Sequence, residues 1–455
     1  MQNKRTKRQE AIRRRRIFLS VCAAILLVSI LIISFAVSAI IKVVNKNDSP
    51  ANNNSSQTSQ TSSAPKEPYI TGSATVVNTG DILVHSTVLD GAKTKDGGYD
   101  FESFFKSAKK YFNAADLSVI NLEVTLGGKE SGAFSGYPVF NTPDSLADTI
   151  KSAGLNFVLT ANNHSYDTGL FGLKRTAQVL KEKGIDFIGT KETESDPTYT
   201  VKDVNGVKLG IINYTYETTC NTAGRKALNG NILKPEANNL INSFSYQRID
   251  SFYSEAENVI KAMKNDGADA IVFYMHWGNE YQLSPNTWQK SIAQKLCDLG
   301  VDVIVGGHPH VLQPMEVIYS QDSENSTVCI YSTGNAISNQ RKEIMDSCPS
   351  GHTEDGVLFY YTFDKYSNGD VVLSSVDLVP IWVDKYKGGA QYQYQMYPLE
   401  SENDGEAKYG LTGTAATKAK ASYNRTKALM EAGLLEVQRH LGSTERFAVP
   451  SENKK

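Results

Sequence analysis

Val301-Asp302-Val303-Ile304-Val305-Gly306-Gly307-His308-Pro309-His310 passes from β-branched hydrophobics through two glycines into two imidazoles. A short Val/Ile run of this kind reads as a strand covered on both faces. The glycines let the backbone turn sharply, and imidazole is a common metal ligand. Alone, His308-Pro309-His310 decides nothing, because an ordinary turn can carry it. Its repetition decides. Val76-Val77-Asn78-Thr79-Gly80 runs into Asp81, and Val119-Ile120-Asn121-Leu122 runs into Glu123. Val158-Leu159-Thr160-Ala161-Asn162 runs into Asn163 and His164, and Val272-Phe273-Tyr274-Met275 into His276. Five strand ends thus deliver oxygen or imidazole groups.

Outward from these ends, the strand candidates are Ala74–Asn78, Leu117–Asn121, Phe157–Thr160, Leu209–Tyr214, Ala270–Met275 and Val301–Val305. Helical patterns lie between them at Phe101–Phe112, Ser145–Ala153, Leu170–Lys183, Phe252–Lys264 and Trp288–Leu299. Such alternation predicts an α/β domain whose sheet is largely covered by helices. Val357–Phe363 and Val371–Val376 flank Ser367-Asn368-Gly369 and predict a hairpin, hence a mixed sheet. In open α/β sheets the carboxyl ends of strands face a common crevice, so groups distant in sequence converge there. Carboxylate, amide oxygen and imidazole together suit Mn, Fe or Zn. Each group has a plainer reading as well. An Asp after a strand caps a helix more often than it binds a metal, and Asp167, before Thr168-Gly169, is read as such a cap. Glu280, four residues after His276, is either a partner orienting an imidazole or a loop carboxylate facing water.

Lys and Arg total 47 against 49 Asp and Glu, a balance that points away from nucleic-acid binding. The average hides a basic first segment, residues 1–16, before an apolar run, Ile17–Ile41, that no Asp, Glu, Lys or Arg interrupts. As a helix this run would be about 37 Å long, longer than a ~30 Å hydrocarbon core. The basic flank predicts a single span with the N-terminus in the cytoplasm and the rest of the chain outside. A secretory signal cleaved after Ala39 is the alternative, although the run exceeds the roughly 7–15 residues of a signal core. Residues 45–68 are almost entirely Asn, Ser, Thr, Gln, Ala, Pro and Lys, and predict a disordered tether. Outside the membrane thiols are free to oxidise. Cys220 and Cys348, in polar stretches, are the pair expected to bond if any does. Folded structure is expected over 69–383. A partly helical extension follows over 384–455, in which Gln391–Tyr397 reads as an edge strand and Ala415–His440 as a helix.

Taken in order, Gly80-Asp81, Asn121-Leu122-Glu123, Ala161-Asn162-Asn163-His164-Ser165-Tyr166-Asp167, His276-Trp277-Gly278-Asn279-Glu280-Tyr281 and Gly307-His308-Pro309-His310-Val311-Leu312-Gln313 resemble the blocks of the CapA family of capsule and poly-γ-glutamate synthesis proteins. Tyr331-Ser332-Thr333-Gly334-Asn335 is similar to the family's last block, with Ala336 where a Phe commonly follows. The resemblance covers roughly residues 69–383, and the anchor-plus-ectodomain layout matches the family. It implies a domain similar to calcineurin-like metallophosphoesterases, a four-layer α/β/β/α sandwich, here preceded by one transmembrane helix.

Carried over by motif, the resemblance implies that Asp81 and His310 hold one metal. Asn163, His276 and His308 would hold another, Glu123 would bridge, and His164 would protonate a leaving group. Leu83 stands where the phosphoesterases have a His, and the longer Glu123 replaces a bridging Asp. One ion, two ions, or a site that only binds therefore all stay open. The implied partners are the membrane, membrane synthetase and export proteins, and an anionic polymer such as poly-γ-glutamate, with no nucleic acid. Two functions follow: guiding or acting on that polymer at the outer face, or metal-dependent hydrolysis of an unrelated envelope substrate.

Overall fold

In a computed structural model of the chain, the described residues are 67–443 except 223. The expected cytoplasmic segment, membrane span and nearly all of the tether lie outside them. Among the described residues no helix is long and apolar enough to cross a membrane. The described residues form one compact unit of mixed α/β structure.

The strands are β1 (Ile70–Ile82), β2 (Leu117–Leu122), β3 (Phe157–Leu159), β4 (Asp186–Ile188), β5 (Thr200–Val204), β6 (Val207–Tyr216), β7 (Ala227–Leu228), β8 (Asn231–Ile232) and β9 (Ser243–Phe244). They continue as β10 (Ala270–His276), β11 (Val303–Gly307), β12 (Leu312–Tyr319), β13 (Ser326–Thr333), β14 (Asn335–Ile337), β15 (Asp355–Tyr366), β16 (Val371–Gly388) and β17 (Gln391–Pro398). The main helices are α1 (Ser86–Ala92), α2 (Ser145–Ser152), α3 (Gly169–Glu182), α4 (Ile249–Asn265), α5 (Thr287–Asp298) and α6 (Gly413–Leu441). Phe101–Phe112 is two short helical turns rather than one helix, in keeping with its many aromatic, weakly helix-forming residues.

One sheet has the order β17-β16-β15-β1-β2-β3-β4, with β14 added beside β1; the other runs β12-β13-β11-β10-β6-β5, with β9 beside β6. Their facing sides share one core, in which Val76, Val119 and Phe359 meet Leu209, Val272 and Val305. The other face of the first sheet packs Val77, Ile120 and Val158 against helical residues such as Leu146 and Leu180. The other face of the second packs Ile212, Phe273 and Ile304 against Ile260 and Leu296. Alternate residues of β1 and β2 serve opposite faces, as the period of a strand requires. Within the first sheet β1, β2, β3 and β4 are parallel, and within the second β6, β10 and β11 are. Carboxyl ends therefore gather along one edge of each sheet.

The C-terminal part departs from expectation. β16 runs unbroken through Val383, where the sequence places the end of the domain, and β17 pairs with it over its whole length. α6 then seals the assembly. Arg425 binds Asp355 of β15 (Nη2–Oδ1 2.6 Å), Ser422 donates to the same carboxylate, and Met430 and Val437 join the inter-sheet core. Cys220 and Cys348 are not bonded to each other. Cys348 is buried, with Sγ 3.5 Å from Ser350 Oγ, contrary to its polar sequence context.

Candidate metal centre

Asp81 reaches its position through a bulge. The β1–β2 register shifts between Asn78 and Asp81, so the Asp81 backbone leaves the regular ladder and its N–H donates to Gly334 O at 3.0 Å. Gly80 allows this close approach, since a Cβ there would sit 2.0 Å from Gly334 O. The Asp81 carboxylate accepts from Asn121 Nδ2 at 2.7 Å and from the His308 backbone N–H at 3.1 Å. Two residues on, Leu83 is buried in the outer core, and His85 has its Nδ1 accepting from Asn339 N–H at 3.2 Å. Leu83 therefore offers no ligand at the position that the resemblance assigns to a His.

Glu123 follows β2 and is fully buried. Its Oε1 lies 3.4 Å from His276 Nε2 and 3.6 Å from His310 Nε2, and has no hydrogen-bond partner. From the other side, Asn163 Oδ1 is 2.7 Å from His276 Nε2. His308 and His310 both have left-handed backbones, with φ of 95° and 55°. Such conformations are strained for non-glycine residues and persist where the surroundings impose them. Here Asp81 holds the His308 N–H, Tyr281 N–H donates to Pro309 O at 2.8 Å, and Asn335 Nδ2 donates to His310 O at 3.2 Å. Gly307 gives the centre its floor: a Cβ there would lie 3.0 Å from Asp81 Oδ1 and 3.7 Å from His276 Nδ1.

Asp81, Glu123, Asn163, His276, His308 and His310 thus stand in one buried cluster where the two sheets meet. Two triads have ligand atoms mutually within 4.8 Å: Asp81, Glu123 and His276, and Glu123, His308 and His310. Glu123 is common to both. The division that the resemblance implied, Asp81 with His310 and His276 with His308, groups the same residues differently, and Asp81 Oδ2 does lie 3.3 Å from His310 Nδ1.

The residues fit a divalent ion. Glu123 Oε1 and His308 Nδ1 are buried without hydrogen bonds, a costly state for polar atoms, and His310 Nδ1 lies 3.3 Å from Asp81 Oδ2. A cavity of about 20 Å³, roughly the size of one water, lies against Asp81, Asn121, His276 and Gly307. Burial alone would raise the Asp81 carboxyl, but His310 and His276 outweigh it and hold the pKa below its ordinary value. Burial opposes charge on His310, yet Glu123 and Asp81 push it up to about 9. Burial and the neighbouring His276 and His310 hold His308 well below its usual value. The carboxylates thus call for a cation, which a divalent ion supplies more compactly than a proton on His310.

His164 sits apart from the triads. Its Nδ1 is 2.8 Å from Asp167 Oδ2, and its ring meets Phe140 edge-on at 4.7 Å. Asp167 also accepts from Phe140 N–H at 2.8 Å, so it is not the helix cap read from the sequence. α3 has Thr168 at its cap position instead, without a side-chain bond. Glu280 is exposed, as a loop carboxylate would be.

Three further residues complete the site. Asn121 Nδ2 links Asp81 to Glu123 at 3.3 Å, and Asn162 Nδ2 donates to Asn121 Oδ1 at 3.1 Å. Asn229, in the tight turn between β7 and β8, accepts from Asn163 Nδ2 at 2.9 Å and approaches His164 Nδ1 at 3.3 Å. The Asn229-Gly230 dipeptide is a hairpin-turn signal, and that signal was legible.

Residues 75–340, more than half of the chain, match the model of the bacterial capsule synthesis protein PGA_cap family. The chain belongs to that family. The match spans every member of the cluster. Among similar proteins, the PGA biosynthesis protein CapA of Bacillus subtilis (strain 168) is 27% identical over 66% of this chain and 70% of its own length. The capsule biosynthesis protein CapA of Bacillus anthracis is 28% identical over 68% of this chain and 67% of its own. A 5'-nucleotidase of Diplobatis ommata is 28% identical over 51% of this chain and 37% of its own length. Among solved structures, TT1561 of Thermus thermophilus aligns with 63% of this chain and 93% of its own at a TM-score of 0.31 and 11% identity.

Proposed function

We propose that this PGA_cap family member is a capsule or poly-γ-glutamate biosynthesis-type protein, anchored by residues 17–41 with its main domain outside the cell. There it guides or acts on an anionic polymer made by membrane synthetase and export partners. In this reading the domain is a metallophosphoesterase-like four-layer sandwich. Its centre holds one or two Mn, Fe or Zn ions through Asp81, Glu123, Asn163, His276, His308 and His310. The observation that carries the reading is Glu123 Oε1, fully buried, without a hydrogen bond, and within 3.6 Å of imidazole nitrogens of both His276 and His310. A cation at that point satisfies the carboxylate and the imidazoles together. The family and the CapA relatives support the capsule role.

Metal content of the purified full-length protein, by elemental mass spectrometry, tests the centre. Near-stoichiometric divalent metal is expected in the wild type, with a sharp drop in Glu123→Ala. Metal-free protein with an intact fold would overturn the reading.

The His164–Asp167 pair favours a second reading, a metal-dependent hydrolase of a phosphoester, ester or amide in the envelope. A bound divalent ion would supply Lewis acidity toward the scissile group's oxygen. Asp167 fixes the His164 ring through Nδ1, which leaves Nε2 as the nitrogen turned to the reaction. Nε2–H is then the proton to be given to a leaving group. Phe140 at the ring edge limits water there. A substrate screen that includes 5'-nucleotides and polyamides separates the readings. Turnover lost in His164→Ala favours hydrolysis, and polymer binding without turnover favours guidance.

A further inference from the structure

A row of aromatic rings leads from the centre to the surface. Tyr216, at the end of β6, has its ring centroid 4.7 Å from that of His308. Tyr246, just beyond β9, follows at 6.3 Å with the planes 29° apart, and Trp288, in the first turn of α5, follows at 5.5 Å and 39°. Exposure rises along the row, from 3% at His308 through half-buried Tyr216 and Tyr246 to 42% at Trp288. A lone exposed aromatic needs no explanation, but a graded row that starts against a candidate ligand does. Gly278 N–H donates to Tyr246 Oη at 3.2 Å, so the row is pinned to the loop that follows His276.

Charge accompanies the row. Glu217, next to Tyr216, is buried and meets both Arg248 (Nη2–Oε2 2.8 Å) and Lys226 (Nζ–Oε1 3.6 Å). Two cations share one carboxylate, and the Arg248 side chain is 55% exposed, which leaves guanidinium donors free for a second carboxylate. Glu280, exposed and close enough to act on the Tyr216 hydroxyl, places negative charge at the inner end. Glu280 disfavours anionic groups at the inner end, and Arg248, two residues after Tyr246 in the chain, is the cation with donors to spare.

We infer that Tyr216, Tyr246 and Trp288, with the partly exposed Arg248 two residues beyond Tyr246, form the track on which a carboxylate-bearing polyamide of the poly-γ-glutamate type lies as it reaches the centre. The inference rests on the polymer reading above. Flat amide groups stack on the rings, and side-chain carboxylates meet the guanidinium. The test is binding of labelled poly-γ-glutamate to full-length protein in detergent, by biolayer interferometry at low and high salt. Trp288→Ala and Arg248→Gln each remove a partly exposed side chain and should weaken binding about tenfold. Arg248→Gln should also flatten the salt dependence. Tyr319→Ala, which removes a 55% exposed aromatic at the C-terminal end of β12, away from the row, should bind as wild type does. Wild-type-like binding by both track variants overturns the track while leaving the polymer reading in place. A wild type that binds alginate but not poly-γ-glutamate overturns the polyamide assignment. A wild type that binds neither polymer overturns the polymer reading and the track with it.

Discussion

Glu123 and His310 define the chemistry of the centre because each is buried against the other. Glu123 Oε1 has no hydrogen bond, and Glu123 and Asp81 push the His310 pKa up to about 9, the mark of a place that favours positive charge. His276→Ala or His308→Ala should lower bound metal by at least the roughly 10–100-fold that even outer-shell partners command, with circular dichroism unchanged. His164→Ala should leave metal content intact, because its ring bonds to Asp167 and belongs to neither triad. Loss of metal in His164→Ala would refute its separate role.

A second prediction at the same scale concerns Asp302, which accepts the Ile271 N–H at 2.7 Å where β11 begins. Burial pushes its pKa up to about 6 from an ordinary 3.8. The folded chain therefore binds this proton more tightly than the unfolded chain, and its stability falls as pH rises from about 4 to 6. Asp302→Asn keeps an oxygen acceptor and should raise the melting temperature at pH 7, with the gain gone by pH 4. A gain that persists at pH 4 would mean that the charge is not its cause.

At the scale of elements, the strand ends were readable because each combines a β-branched run with a ligand type just past it. β1, β2, β3, β10 and β11 all carry that signature, and all five deliver a cluster residue. What stayed hidden was contributed across elements. Asp167 looked like a cap because a local rule explains an Asp before a helix, and only folding shows Phe140 and His164 on its carboxylate. Asn229 reaches the site from a two-residue turn some 65 positions beyond His164, a contact no local pattern encodes. The domain end was misplaced because Val383 precedes a polar, tyrosine-rich stretch, although alternation of faces continues through β16 into β17.

α6 was legible as a helix, but its role depends on one buried partner. Asp355 is fully buried and holds Arg425 and Ser422 together. Arg425→Ala strands that carboxylate and should cost about 3–5 kcal/mol in urea denaturation, the usual penalty for orphaning one member of a buried pair. Arg425→Ala with Asp355→Asn should recover part of the loss. A single variant as stable as wild type would show that α6 docks through its apolar contacts alone.

At the scale of the whole molecule, the proposed polymer role and the proposed anchor depend on each other. A guide for a polymer leaving the cell must face outward and stay at the membrane, and the chain places its charge-free apolar run, Ile17–Ile41, next to a basic N-terminal segment. Lys4, Arg5, Lys7, Arg8 and Arg13 to Arg16 precede the run, while only Lys42 and Lys46 follow it closely, and in the proposed anchor this bias would orient the N-terminus inward. Protease added to intact cells should release a fragment containing residues 69–443, while an N-terminal tag stays protected until the cells are lysed. A protein recovered from the medium with Ile40 as its first residue would establish cleavage after Ala39 instead. The domain would then be free to diffuse, and a guide fixed beside the exporting synthetase could no longer be its role.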